Sequence, residues 1–363
     1  MNREIKKRYV DTIGFGILGL GMIAEFHVKA IQELTGCHFV AGYDNIPNRA
    51  ADFCAKHGGA GYNNLASFMS DKNMDIVCIA TPSGLHLDGA VAAAKAGKHI
   101  IVEKPLEITT ARCDALIAEA RANNVRLATI FPSRYHTLSG IIKKAVTQGR
   151  LGKIVLADAQ IKWYRSQEYY DSGKWRGTWD LDGGGALMNQ GIHAIDLLQW
   201  FMGNVSEVFA LTATLAHERI EVEDTAAAVL KFANGAIGVI EGTTGAYPGF
   251  LKKIEICGSK GCITMEEENL TTWKFLEENS EDEEIRRHYG NVTQTGGGAS
   301  NPAAIGHHGH KLLFESFVNA LREDRPVDID GTEGRKSVEI IEAIYRSATY
   351  HCPITLPLNI TIK

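Results

Sequence analysis

The chain has 363 residues, too many for one ordinary hydrophobic core, and is expected to fold as two domains. Hydrophobic residues make up 45% and charged residues 22%, an ordinary balance for a chain that folds in water. A net charge of -5 excludes a broad nucleic-acid surface, which needs a basic patch, but not a small anion held by a few local arginines.

The seven cysteines form no C-x-x-C pair, and their odd number predicts reduced, mostly buried thiols in a cytoplasmic setting and no metal site. Basic residues followed by an apolar run at the start imitate a signal peptide. Asp11 breaks the lead-in, however, and Gly14, Gly16, Gly19 and Gly21 crowd the run, so a strand and a glycine turn fit it better. No later stretch is long and apolar enough to span a bilayer, so no membrane partner is expected.

Along the first ~130 residues short β-rich runs alternate with helical patterns. Strands are expected at 13–18, 38–43, 76–80, 100–102 and 126–131, and helices at 23–34, 85–96 and 112–123. That alternation predicts a parallel, doubly wound sheet. From residue 132 the pattern becomes a run of strands at 153–163, 205–216, 226–232, 236–243, 252–256 and 262–266, with helices at 139–148 and 190–201. This predicts an α+β domain on an open, mainly antiparallel sheet, so the domains are 1–131 and 132–363. Residues 278–306, charged and then glycine-rich, are expected to be a long loop, with helices at 309–321 and 334–350 closing the chain.

Gly19-Leu20-Gly21-Met22-Ile23-Ala24 has the G-x-G-x-x-A form of the dinucleotide fingerprint, after a strand and at the start of a helix. Gly19 permits the tight turn, Gly21 lets a pyrophosphate approach backbone, and Ala24 lets helix pack on strand. Met22 and Ile23 contribute N–H groups at a helix N-terminus, where anions are favoured. Asp44 ends the second strand 23 residues after Gly21, placed to bind ribose hydroxyls and repel a 2′-phosphate. It favours NAD over NADP, while Arg49 nearby pulls the other way.

Three further stretches carry chemistry: Thr81-Pro82-Ser83 with His86, Glu103-Lys104-Pro105, and Gly183-Gly184-Gly185 leading to Asn189, His193 and Asp196. Lys104 ends a strand on the side where open sheets bind ligands, so it could stabilise negative charge on a substrate oxygen; a surface ion pair with Glu103 is its structural alternative. Asn189 and His193 are four apart and share a face if helical. His193 could take a proton from an alcohol as hydride leaves carbon, or could simply pair with Asp196.

The order of these motifs resembles the Gfo/Idh/MocA oxidoreductase family over nearly the whole chain. The resemblance implies an NAD(P)-binding Rossmann domain (Thr81, Pro82, His86, Glu103 and Lys104 near the cofactor) and a C-terminal domain whose sheet forms a homodimer or homotetramer. It makes Lys104 the lysine near nicotinamide, His193 the acid/base histidine, and Asp44 the ribose-binding acid. Many members carry aspartate four residues before that histidine; this chain carries Asn189, which can orient substrate or ring but not act as the negative partner.

Residues 163–179 are dense in aromatics and arginines. Trp163, Tyr169 and Trp175 suit sugar rings, and Arg134, Arg165 and Arg176 suit carboxylate or phosphate, beside Asn189 and His193 as substrate contacts. The same aromatics could instead only pack. With residues 188–193 and 221–225, the segment is similar to the branch that oxidises UDP-N-acetylglucosaminuronic acid at C3. Phe131-Pro132-Ser133-Arg134 stands where that branch tends to show Asn-Arg. A free sugar, anhydrosugar or inositol stays open as substrate. A non-catalytic NAD-binding regulator, or an enzyme that returns its NAD unchanged, stays open as function. His307, His308 and His310 lack a ligand partner at sequence spacing and are assigned a substrate-facing or interface role.

Overall fold

The computed structural model describes residues 12–290 and 306–358. They form two compact units. One runs to Pro132 and takes in Gly306–Arg335; the other starts at Ser133 and takes in the chain from Lys336.

The first unit is built on six strands: β1 (Ile13–Leu18), β2 (Cys37–Tyr43), β3 (Ala60–Tyr62), β4 (Ile76–Ile79), β5 (His99–Val102) and β6 (Leu127–Thr129). Their order is β3-β2-β1-β4-β5-β6 and every pairing is parallel. A parallel sheet is covered on both faces, so its strands must be apolar on both sides. Ile13, Phe15, Ile17, Ile76, Val77, Ile79, Ile100, Ile101 and Val102 meet that demand with no exposed surface. Between the strands lie α1 (Met22–Gln32), α2 (Arg49–His57), α3 (Leu65–Met69), α4 (His86–Lys95) and α5 (Thr110–Ala122). The sequence reading places nothing between Asp44 and Ile76, where α2, β3 and α3 complete the crossover. α3 is a single turn, started by the Asn64 side chain accepting from Ser67 N, too short to show a period.

In the second unit α6 (Thr137–Thr147) precedes β7 (Ile154–Lys162), and α7 (Gln167–Asp171) and α8 (Ile192–Met202) precede β8 (Val205–Ala213). Then follow β9 (Thr225–Phe232), β10 (Ile237–Thr243), β11 (Lys253–Gly258), β12 (Gly261–Glu266) and β13 (Asn269–Phe275). With β14 (Ile354–Thr355) they order as β13-β12-β11-β7-β10-β9-β8-β14. The sheet is mainly antiparallel, as expected; the exception is β7 beside β10, a parallel pair. β13 goes beyond the expected strands, and the loop expected at 278–306 begins as helix α9 (Ser280–Tyr289). Asn279 and Asp282 form its capping box, and the Arg150 fork grips the Asp282 carboxylate at 2.7 and 2.8 Å. The glycine-rich part, 291–305, lies outside the described residues.

Two helices close the chain: α10 (His308–Glu323), in the first unit, and α11 (Gly331–Tyr350), within which the two units divide. α10 stacks Phe314 on Phe15 of β1 with ring centroids 5.8 Å apart, and Thr129 N donates to Ile329 O. The last part of the chain thus completes the core of the first.

Candidate active site

The β1–α1 turn is shaped by its glycines. Gly19 has φ +94, and a Cβ there would lie 2.8 Å from the Ala80 carbonyl and Thr81 N, so this turn and the end of β4 close up only around glycine. At Gly21 a Cβ would meet nothing within 4 Å. Gly21 is the N-cap of α1 and no side chain caps that end. An open cradle over uncapped N–H groups fits the pyrophosphate of a dinucleotide. Met22 is exposed, Ile23 half-buried, and Ala24 is buried against the sheet.

Asp44 closes the other side of this turn. Its Oδ2 accepts from Leu20 N at 3.0 Å and its Oδ1 from Ile46 N at 2.8 Å. One carboxylate therefore ties the end of β2 to the glycine turn. Arg49 Nη1 stands 3.6 Å from Asp44 Oδ2, with its side chain 43% exposed.

At the end of β4, Thr81 and Pro82 are half-buried, and the Thr81 hydroxyl has no partner among the described residues. His86 is 1% exposed and bridges two carbonyls, Thr81 O at 3.0 Å and Pro105 O at 2.9 Å. A neutral imidazole donates to one of them, and burial holds its pKa below the ordinary histidine value. His86 staples the loop after β4 to the loop after β5.

Glu103 is not a surface partner of the next residue. Its buried Oε1 lies 2.8 Å from His27 Nε2 of α1 and 3.3 Å from His310 Nε2 of α10, while Oε2 accepts from Lys104 N at 3.2 Å. Burial alone would raise its pKa, but the two histidine hydrogen bonds outweigh it and hold the carboxyl well below its usual range. Lys104, half-buried, therefore leaves a strand end held by buried hydrogen bonds. His310 is buried, and His307 meets Glu33 at 2.6 Å.

In the second unit, residues 186–191 are not α-helical. Ala186–Gly191 forms a π-helical turn that runs into α8, a feature common at functional sites. The cause is Glu223, to which sequence reasoning gives no role. Its buried carboxylate accepts from Gly185 N and Leu187 N, both at 2.9 Å, and from the Tyr345 hydroxyl at 3.0 Å. Burial pushes this carboxyl up to about 7 against the pull of those donors. The chain presses so close that a Cβ on Gly185 would collide with Glu223 O.

That turn presents Asn189, and one turn later His193, both half-buried. Asp196 accepts from two Arg134 nitrogens, Nε at 2.8 Å and Nη2 at 2.7 Å, inside the unit. Arg134 is 8% exposed, and its fork is used on this buried carboxylate. Asp196 is therefore engaged by arginine.

The remaining substrate candidates do converge. Arg165 lies 5.2 Å over Trp163 and 5.4 Å over Tyr169, and Arg176 lies 4.3 Å over Tyr169 and 4.6 Å over Trp175. Gln190, not singled out in the sequence, joins them to Asn189. Its Oε1 accepts from Arg165 Nη2, and its Nε2 lies 2.9 Å from both the Tyr169 hydroxyl and Asn189 Oδ1.

Over residues 13–131 the chain matches the Oxidoreductase family, NAD-binding Rossmann fold, and over 141–264 the GFO/IDH/MocA C-terminal domain. The myo-inositol 2-dehydrogenase of Thermotoga maritima is 30% identical over 270 residues, 72% of this chain and 78% of that one. The levoglucosan dehydrogenase of Pseudarthrobacter phenanthrenivorans is 28% identical over 386 residues, 96% of this chain and 99% of that one. The WlbA dehydrogenase of Bordetella pertussis, solved with NADH and UDP-GlcNAcA, is 36% identical with a TM-score of 0.87, covering 96% of this chain and 99% of that one. With both halves matched and the motifs in place on a doubly wound sheet, the chain belongs to the GFO/IDH/MocA family of NAD-binding oxidoreductases.

Proposed function

We propose that the protein is an NAD-dependent dehydrogenase acting on a sugar hydroxyl, with a UDP-sugar uronate, oxidised at C3, as its substrate. The observation that carries this is the second unit's cluster of Arg165 and Arg176 on Trp163, Tyr169 and Trp175, hydrogen-bonded through Gln190 to Asn189. Aromatic faces with two arginine forks suit a sugar ring bearing anionic groups. The WlbA dehydrogenase, which carries UDP-GlcNAcA, supports the same reading.

In this reading Gly19, Gly21 and the uncapped start of α1 hold the pyrophosphate, and Asp44 holds the ribose and selects NAD over NADP. NAD, when bound, supplies the hydride acceptor. Lys104 stabilises negative charge developing on the substrate oxygen, and His193 takes the alcohol proton. No metal takes part: the His27–Glu103–His310 group works as a hydrogen-bonded support. The protein is cytoplasmic and homo-oligomeric through its second sheet, with the first unit serving the cofactor and the second the substrate and the assembly. A free polyol or anhydrosugar is the second reading, favoured by the inositol and levoglucosan dehydrogenases among the relatives.

Thermal shift and NADH formation with NAD and, in turn, UDP-N-acetylglucosaminuronic acid, myo-inositol and levoglucosan test this. A shift and turnover with the uronate are expected. Turnover of a free sugar alone moves the substrate to the second reading. NAD binding with no response to any of them favours a regulator.

A further inference from the structure

Asp182 is not among the residues the sequence singles out, yet it is 1% exposed and touches the centre of the substrate cluster. Its Oδ2 accepts from Gly177 N at 2.9 Å, and its Oδ1 accepts from Asn189 Nδ2 at 2.5 Å. A carboxylate only accepts and a guanidinium only donates. With Asp182 at one end, Asn189 must present its NH2 there and its oxygen to Gln190 Nε2. With Arg165 at the other end, Gln190 must present its oxygen to Arg165 and its NH2 to Asn189 and Tyr169. Both ends demand the same direction. Tyr169 oxygen then receives donors from Gln190 and from Arg176 Nη1, which leaves the phenol proton to point at something else.

We propose that Asp182 is a positioning residue: it polarises the chain Asp182–Asn189–Gln190–Tyr169, aims the Tyr169 proton at a substrate oxygen, and is the reason position 189 holds an amide. The negative group stands on Asp182, one contact removed from position 189. An aspartate at 189 would set two carboxylates against each other, and such a pair must share a proton. The role in turnover rests on the substrate reading above; the Asp182–Asn189 pairing does not.

The test compares Asn189→Asp, Asp182→Asn and the double variant carrying both, as full-length protein. The double variant restores the donors and acceptors named above, because the amide now at position 182 accepts from Gly177 N and donates to the carboxylate now at position 189. Melting temperatures from pH 5 to 8 need no substrate. A shared proton raises the pKa of the pair in the folded state, so Asn189→Asp is expected to lose stability, relative to wild type, as pH rises. The double variant is expected to lose that dependence. With NAD and UDP-N-acetylglucosaminuronic acid, each single variant is expected to lower kcat roughly tenfold with KM for NAD unchanged, and the double to recover most of it. A pH-independent melting difference for Asn189→Asp, or a double variant no better than its singles added together, overturns the proposal. Coupling seen in melting but absent from turnover confines Asp182 to structure and overturns the positioning role.

Discussion

The work proposed for the first unit divides between two side chains, Asp44 and Lys104. Asp44 ties together β2 and the glycine turn and presents its charge where the ribose is proposed to bind. Asp44→Ala should weaken NAD by roughly 10- to 100-fold, the range for a lost hydrogen bond to a charged group. NADP should weaken less or improve, since Arg49 is then released from its 3.6 Å contact. Equal losses in Kd for both cofactors would remove the basis for the NAD assignment. Lys104→Ala should cut turnover by roughly 10²- to 10³-fold, the scale of removing one donor to a developing oxyanion, with NAD affinity kept. If NAD affinity falls instead, Lys104 supports the cofactor and not the chemistry. Both residues are legible in the sequence because each ends a strand beside a recognisable motif. The partners of Glu103 are not. His27 and His310 lie 76 and 207 positions from it, and no spacing rule reports contacts made only by folding.

The π turn before α8 carries Asn189, and α8 carries His193, the residues of the second unit proposed to meet substrate. The sequence reads as plain helix from 190 onward, since apolar residues at helical spacing do not reveal an inserted residue. What stretches it is the buried Glu223 carboxylate gripping Gly185 N and Leu187 N. Burial is the larger influence on Glu223, lifting it from an ordinary 4.5 to about 7. A carboxyl with a raised pKa in the folded state contributes stability below its unfolded pKa and loses it as pH climbs through the folded value. Wild type should therefore lose stability between about pH 4.5 and 7 through this group. Glu223→Gln cannot ionise, so the melting-temperature difference between variant and wild type should move in the variant's favour across that window. A difference that stays constant would mean that Glu223 ionises in the folded protein as it does in the unfolded chain. Strands at the centre of each sheet are legible because burial demands unbroken apolar or strictly alternating runs. β3 and α3, three and five residues long, fall below what a periodic pattern can show.

For the whole molecule, the second sheet leaves an apolar face open. Along β8 and β9, Val208, Ala210, Ala228 and Leu230 turn inward, while Phe209, Leu211 and Val229 are 44–62% exposed. Ile237 on β10 and Leu156 on β7, partners in register, are also more than 40% exposed, so the exposure spans neighbouring strands. An apolar patch of this kind is where the proposed assembly is expected to form. Leu211→Glu together with Val229→Glu should shift the protein to smaller species in sedimentation equilibrium, with NAD affinity intact. An unchanged mass would remove this face as the site of the proposed assembly.

The return of α10 to the first sheet has a consequence for how the protein is made. Phe15, translated long before Phe314, must wait for it before its face of β1 is covered. Domains usually fold as units during synthesis, the N-terminal one first. Here the N-terminal unit includes Gly306–Arg335, so it can close only after nearly the whole of the second unit has been translated. The nascent chain therefore carries an unfinished nucleotide fold through most of its elongation, and chaperone dependence should be concentrated there.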